Sequence, residues 1–389
     1  MRKFPFIFLL LLLHAVNASA DLIEPSSRVT SRLKIKQAPS SNASVVTYLY
    51  PGQRLPLLAS DNRYYHEVQL PNQISGWVSK SWSHVIPSTS QASTLAITFF
   101  NVGQGDSTLI ACPNGHNILI DAGSTSGVEA DVIRDQLFTA LEGRDRHIHT
   151  LVVTHPDADH YNRLHLVLQD VNVDQVLMVG IEEDYYKYFW SWLNAIGADI
   201  NVLSVTDFNQ PTSPNTGLDC GEAQSFILAA DEQSSFSSKN TSSIVLMIRY
   251  KNFESIFTGD ATKITEEVII NRYPVAWLDI DLLKIGHHGS FATSTTNDWA
   301  SILSPEIAVV SAGDNRYGHP RTEVLDRLDD YTVSATPHLM NSAKHPNDEY
   351  VYEFNNNYNE AIYSTQVSGI VQVASDGLTW SVKTISTEQ

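Results

Sequence analysis

Four side chains that bind metal ions well, His155, Asp157, Asp159 and His160, fall within six residues of this chain, in Thr154-His155-Pro156-Asp157-Ala158-Asp159-His160. They follow the apolar run Thr150-Leu151-Val152-Val153, so a buried strand carries two imidazoles and two carboxylates past its end. Carboxylates crowded this closely repel one another unless a cation lies among them. Mixed nitrogen and hard oxygen donors suit zinc or manganese. The plain alternative is a polar strand-to-helix turn in which Asp159 caps the next helix.

Further candidates lie downstream. Asp260 closes Thr258-Gly259-Asp260, before a helix it could also cap, and His287 and His288 are adjacent in Lys284-Ile285-Gly286-His287-His288-Gly289-Ser290. Neighbours on a strand end point to opposite faces, which leaves room for one ligand of the two. Asp121, at the end of Leu119-Ile120-Asp121, either orients a ligand histidine from behind or forms a turn. Gly103 and Gly105 in Val102-Gly103-Gln104-Gly105-Asp106 allow the backbone to pass close to a metal or phosphate.

Alternating strands and helices must position these groups. Strands are predicted over 95–100, 107–111, 117–121, 151–153, 176–179, 243–248, 255–258, 282–285 and 307–311. Helices are predicted over 129–141, 160–168, 185–195, 264–271 and 321–328. In the first helix Val132, Ile133, Leu137 and Leu141 are expected on the buried face. Two sheets with helices outside would bury this pattern.

The N-terminal part differs. Residues 1–20 read as an export signal: Arg2 and Lys3, an apolar run from Phe4 to Leu13, then Ala18-Ser19-Ala20. The mature chain, expected to start at Asp21, has no later segment apolar enough to span a bilayer. A periplasmic or extracellular location follows, in which Cys112 and Cys220 either pair or remain buried thiols. Residues 21–90 hold seven Lys/Arg and four Asp/Glu, whereas residues 91–389 hold 16 against 39. Such an acidic region repels a bare polyanion and argues against a processive nuclease, though not against small phosphorylated substrates.

Short strands at 45–50, 54–58 and 64–70, broken by Pro51-Gly52, Asp61-Asn62 and Pro71-Asn72 and closed by Ser75-Gly76-Trp77-Val78-Ser79, resemble a bacterial SH3-like domain. The resemblance implies contacts with cell-wall peptide or other proteins. Tyr64, Tyr65 and Trp77 either line a groove or form the barrel core, and Trp77 is expected in the core. Pro87–Ser93 reads as a linker.

Phe99-Phe100-Asn101-Val102-Gly103-Gln104-Gly105-Asp106-Ser107, Leu119-Ile120-Asp121-Ala122-Gly123, the His155 cluster, Thr258-Gly259-Asp260, Lys284 to Ser290 and Asp314-Asn315-Arg316-Tyr317-Gly318-His319-Pro320 occur in that order. Together they resemble the metallo-β-lactamase fold and, within it, the hydrolase domain of ComEC-type competence proteins, over about residues 95 to 385. The resemblance implies an α/β (α+β) chain: an αββα sandwich over 91–389 behind a small all-β SH3-like barrel. It implies one or two divalent ions, Zn or Mn. His155 and Asp157 would serve one ion, Asp159 and His160 another, with Asp260 bridging and His288 as the last ligand. His287, Ser290 and His319 would face the substrate. Asp157 or Asp159 would act as base toward a metal-activated water.

One departure matters. Many dinuclear relatives carry a further histidine between the cluster and Asp260. Here only His165 lies in that interval, too close behind His160, leaving Asn240, Ser242 and Ser243 as neutral donors. The expected centre is asymmetric, with one ion held on the Asp159/His160 side and a second held weakly. The function expected is hydrolysis of a phosphodiester, in nucleic acid or a small phosphorylated compound. The alternatives are a lactone or acyl hydrolase and a wall-associated binding protein with a degenerate site. ComEC-type proteins also carry a membrane channel, which this chain does not show, so translocation is not implied.

Overall fold

The computed structural model describes residues 22–26, 28–51, 53–70, 74–86, 94–232 and 238–387. The expected export signal and the Pro87–Ser93 linker lie outside the described residues. Two compact units divide the chain, residues 1–92 and 93–389.

The first unit contains β1 (Leu22–Pro25), β2 (Leu33–Lys36), β3 (Val45–Leu49), β4 (Leu55–Ala59), β5 (Tyr65–Gln69), β6 (Ser75–Ser79) and β7 (Ser83–Ile86), hydrogen-bonded in the order β3-β2-β6-β5-β4-β1-β7. Its core is Ile23, Leu33, Ile35, Leu49, Val68, Leu70 and Val78. Trp77 is not in that core, contrary to expectation. Strand alternation turns Gly76 and Val78 inward and leaves the indole between them half-buried on the other face.

The second unit stacks four layers. One sheet uses β8 (Leu95–Phe99), β9 (Thr108–Ala111), β10 (Asn117–Ile120), β11 (His147–Val153), β12 (Asn172–Met178), β13 (Asp199–Val202), β22 (Ile370–Ser375) and β23 (Trp380–Ile385), in the order β13-β12-β11-β10-β9-β8-β22-β23. The other uses β14 (Gln224–Ala229), β15 (Val245–Tyr250), β16 (Phe253–Phe257), β17 (Leu282–Lys284), β18 (Ile307–Val310) and β21 (Ile362–Ser364), in that order. Between β18 and β21 the chain forms a hairpin, β19 (Ser334–Lys344) with β20 (Val351–Glu360).

Between the sheets lie Ile97, Phe99, Ile110, Ile120 and Val152 from one and Leu246, Ile248, Phe257, Leu282 and Val309 from the other. Outside the first sheet pack α1 (Ala130–Ala140), α3 (Leu164–Val167) and α4 (Lys187–Leu193). Outside the second pack α5 (Lys263–Arg272), α6 (Asn297–Leu303) and α7 (Thr322–Leu328). Burying a face of each sheet against helices and the other against its partner is the αββα solution to two-sided apolar strands.

In α1 the buried side chains are Ala130, Ile133, Gln136 and Leu137, while Val132 is 47% exposed. Val132 lies about 100° around the helix from Ile133, which carries it off the core stripe. Truncating Leu137 to Ala would cost about 2–5 kcal/mol. Cys112 and Cys220 form a buried disulfide that closes a loop across 108 residues of sequence, which stabilises the unit by about 2–5 kcal/mol.

Candidate metal centre

The parallel strands β10 and β11 of one sheet and β16, β17 and β18 of the other all end on the same side, and the candidate residues follow those ends. The helix expected over 160–168 is broken. A single turn, α2 (Ala158–Tyr161), precedes α3, so the cluster sits on a tight bend rather than along one helix. Asp157 is the N-cap residue of α2 and makes no side-chain cap, and Asp159 lies in the first turn. The N-cap of α5 is Thr262, not Asp260. These carboxylates are therefore not spent on helix ends.

Two glycines let the backbones come close enough. A Cβ on Gly123 would lie 2.2 Å from the carbonyl carbon of Asp159, and one on Gly105, at φ +152°, 2.3 Å from the Gly123 oxygen. The packed segments are tied by Asp106 N–H donating to Asp159 O (3.0 Å) and Gly123 N–H to Asp106 O (3.1 Å). Any side chain at either position would push the His160 loop away from the site.

Hydrogen bonds then fix each imidazole. His160 Nδ1–H donates to Asp121 Oδ2 at 2.7 Å, and Thr154 N–H donates to Asp121 Oδ1 at 2.8 Å. His288 Nδ1–H donates to Ser311 O at 2.7 Å, and His155 Nδ1 meets Thr154 Oγ1 at 3.1 Å. With Nδ1 engaged, each ring offers the Nε2 lone pair. The Nε2 atoms of His155, His160 and His288 and Asp260 Oδ1 are all buried without a hydrogen-bond partner.

These orphaned atoms converge. His160 Nε2 lies 3.3 Å from Asp260 Oδ1, and His288 Nε2 lies 3.5 Å from Asp260 Oδ2 and 3.4 Å from Asp159 Oδ2. Donors about 2.1 Å from one tetrahedral ion lie roughly 3.4 Å apart, so these spacings fit a shared divalent cation. On the other side contacts lengthen: His155 Nε2 is 3.7 Å from Asp157 Oδ2 and 4.0 Å from Asp260 Oδ2. The centre is asymmetric.

Charge follows the geometry. Burial opposes ionisation of Asp260, but His288, His160 and His287 hold its carboxyl well below the usual range. Burial likewise opposes a charge on His288, yet Asp260 and Asp159 push it up to about 9, and Asp260 and Asp121 raise His160 well above its ordinary value. The pocket is built to surround positive charge with carboxylates.

His287 and His288 do not follow strand alternation. Both have positive φ (46° and 51°) in a turn after β17, so both rings approach Asp260, His287 Nε2 at 3.7 Å. His287 Nδ1 meets Thr293 Oγ1 at 2.7 Å, and that hydroxyl donates to Ser290 Oγ at 2.7 Å. Asn240 places its amide nitrogen 3.0 Å from His287 Nε2, and Ser243 Oγ accepts the backbone N–H of Asp260 at 3.1 Å. Asn240 thus contacts a rim histidine, and Ser243 holds Asp260 in place. His319 lies 5.7 Å from His287, ring to ring, with its Nδ1 buried and unpartnered. Burial lowers both histidines, His319 to about 3, so they are neutral near pH 7.

Asp106 was missed. Its carboxylate belongs to the group formed with His160, Asp260 and His288, whose ligand atoms all lie within 4.8 Å of one another. Lys284 Nζ lies 2.7 Å from Asp106 Oδ2, both side chains being buried. The sequence held a signal: a lysine ending the otherwise apolar Leu282-Leu283-Lys284 needs a buried anion.

An αββα sandwich with a buried Asp/His cluster at the strand ends has the architecture of a metal-dependent hydrolase. Residues 100–314 match the Metallo-beta-lactamase superfamily, and the chain belongs to it; residues 31–84 match the bacterial SH3 domain. Among similar proteins, ComE operon protein 3 of Bacillus subtilis (strain 168) is 27% identical over 252 residues, covering 61% of this chain and 31% of that protein. Recombination protein 2 of Haemophilus influenzae is 27% identical over 251 residues, covering 61% and 27%. The chain thus spans less than a third of the length of these curated relatives. Among solved structures, Tm1679, a metal-dependent hydrolase of the β-lactamase superfamily, is 12% identical with a TM-score of 0.37, covering 61% of this chain and 93% of that one.

Proposed function

We propose that this protein is an exported metal-dependent phosphodiesterase. The observation that carries the metal is the convergence of four buried, unpartnered donor atoms, His155 Nε2, His160 Nε2, His288 Nε2 and Asp260 Oδ1. Left without a cation, each would cost the desolvation of an unpaired polar group. The residues that would hold one or two ions of Zn or Mn are His155, Asp157, Asp159, His160, Asp260 and His288. A bound divalent ion supplies Lewis acidity and a nucleophile derived from water at neutral pH.

The chain's own groups do the rest. Asp157, the most open carboxylate of the cluster at 41% side-chain exposure, accepts a proton, and the neighbouring His155 holds its carboxyl ionised. Asp159 Oδ2 lies 3.4 Å from His288 Nε2, a spacing that lets the two hold the same ion. His319, whose Nδ1 is unpartnered, lines the rim as a neutral hydrogen-bond donor for a phosphoryl oxygen or leaving group, and His287, held by Thr293 and Asn240, packs beside it. The abundance of hard carboxylate donors and the likeness to Recombination protein 2 favour a phosphodiester over a lactone.

The test is turnover of bis-para-nitrophenyl phosphate, linear DNA and a lactone panel by metal-loaded protein and by Asp260→Ala. Diester cleavage that disappears in the variant is expected. Lactone cleavage alone would overturn the reading, and no turnover with no metal by elemental analysis would leave a binding protein.

A further inference from the structure

The N-terminal unit carries charge of the opposite sign to the unit with the metal centre. Its seven basic residues are not scattered: Arg28, Arg32, Lys34 and Lys36 line one groove of about 440 Å³ with Tyr65 and Trp82, and no carboxylate lines it. The alternation of β2 explains part of this. Leu33 and Ile35 are buried, so Lys34 and Lys36 emerge on the other face.

Among the described residues none of the four meets a carboxylate, whereas Arg54 of the same unit pairs with Glu24 at 3.1 Å. Three of the four cations are nonetheless fixed. Arg28 donates to Ser81 O, Lys36 donates to Ser40 O at 3.2 Å, and the Arg32 guanidinium lies 4.2 Å from the Tyr48 ring centroid. Four uncompensated cations repel one another, so folding gains nothing by collecting them. Trp82 sits beside them, 47% exposed, with the Arg28 guanidinium 5.2 Å from its ring.

We propose that this groove binds single-stranded nucleic acid, with backbone phosphates on the four cations and unpaired bases stacked on Trp82 and Tyr65. The inference rests on the phosphodiesterase reading, and supplies what the acidic catalytic unit lacks, a surface that attracts a polyanionic substrate. Interleaved cations beside the exposed Trp82 indole and the half-buried Tyr65 ring suit a single strand. A duplex hides its bases, and a sugar- or polyol-phosphate polymer would leave the aromatic rings unused.

The test uses the full chain in a metal chelator, which separates binding from cleavage, and a fluorescein-labelled oligothymidylate followed by anisotropy across a salt series. Four phosphate contacts predict a log–log salt slope of about −3. Arg32→Glu/Lys34→Glu is expected to weaken binding more than about tenfold and flatten that slope, and Trp82→Ala to weaken it on the order of tenfold. Turnover of bis-para-nitrophenyl phosphate by the metal-loaded variants should equal the parent's, and circular dichroism and thermal melting matching the parent's show that the N-terminal unit, compact in its own right, still folds. No salt-dependent binding, equal binding by the charge-reversed variant, or polyphosphate competing as well as the oligonucleotide with no effect of Trp82→Ala would each overturn the proposal. Oligonucleotide binding without any diester turnover would sink the enzymatic reading alone.

Discussion

Asp121 Oδ2 accepts His160 Nδ1–H at 2.7 Å while its other oxygen accepts the Thr154 amide at 2.8 Å, so one buried carboxylate ties the end of β11 to the imidazole six residues beyond Thr154. Asp121 itself stands at φ 56°, a conformation Asn tolerates. Asp121→Asn should therefore keep the fold while losing the charge that holds His160 in the Nδ1–H tautomer. Metal affinity is expected to fall about 10- to 100-fold in a chelator competition. An unchanged affinity would reduce Asp121 to a turn residue.

The asymmetry of the centre predicts its stoichiometry. Donor spacings of 3.3–3.5 Å surround Asp260, His160, His288 and Asp159, against 3.7–4.0 Å at His155. One ion per chain should survive gel filtration, with a second binding more weakly. His155→Ala should abolish the weak phase and spare the tight one, whereas Asp260→Ala should abolish both. Elemental analysis combined with titration calorimetry reads this directly. Two equally tight ions in the parent would refute the asymmetric reading.

Proton release gives an independent check. His288, pushed up to about 9, and His160, raised well above its ordinary 6.5, are protonated at pH 7 without metal. Their raised values stabilise the metal-free fold below about pH 6.5, and that stability is lost as pH rises through about 9. The depressed carboxyls of Asp159 and Asp260 work oppositely, contributing above their unfolded value and losing it in acid. Metal needs neutral imidazoles, so loading at pH 7 should release about one to two protons and tighten as pH rises. Calorimetry in buffers of different ionisation enthalpy counts them. The melting temperature of metal-free protein should drop between pH 7 and 9 while that of loaded protein holds.

Much of this was legible in sequence because the ligands follow apolar strand ends, where period and composition both speak. The six ordered motifs imply the sandwich and set Asp121, His155, Asp159, His160, Asp260 and His288 in one frame. What escaped was set by backbone conformation or by partners distant in sequence. The positive φ angles of His287 and His288 bring both rings toward Asp260, and alternation cannot foresee that. The β19–β20 hairpin is largely exposed and polar, so it carries no apolar period to detect. Asp106 escaped because its partner, Lys284, is far along the chain.

That pair supports the last prediction. Asp106 and Lys284 are 4% and 2% exposed and 2.7 Å apart, and the Asp106 carboxylate also reaches the donor group around Asp260. Lys284→Met removes the cation and leaves Asp106 buried beside further carboxylates. In chelator, unfolding by urea should show a loss of about 3–5 kcal/mol. A divalent ion replaces the missing charge, so metal should restore more stability to the variant than it adds to the parent. Asp106→Leu/Lys284→Met, which removes both charges, should be close to the parent in chelator, because a buried pair is costly mainly when broken. If the single variant is as stable as the parent, Lys284 does not hold Asp106 and the carboxylate is neutralised by other means.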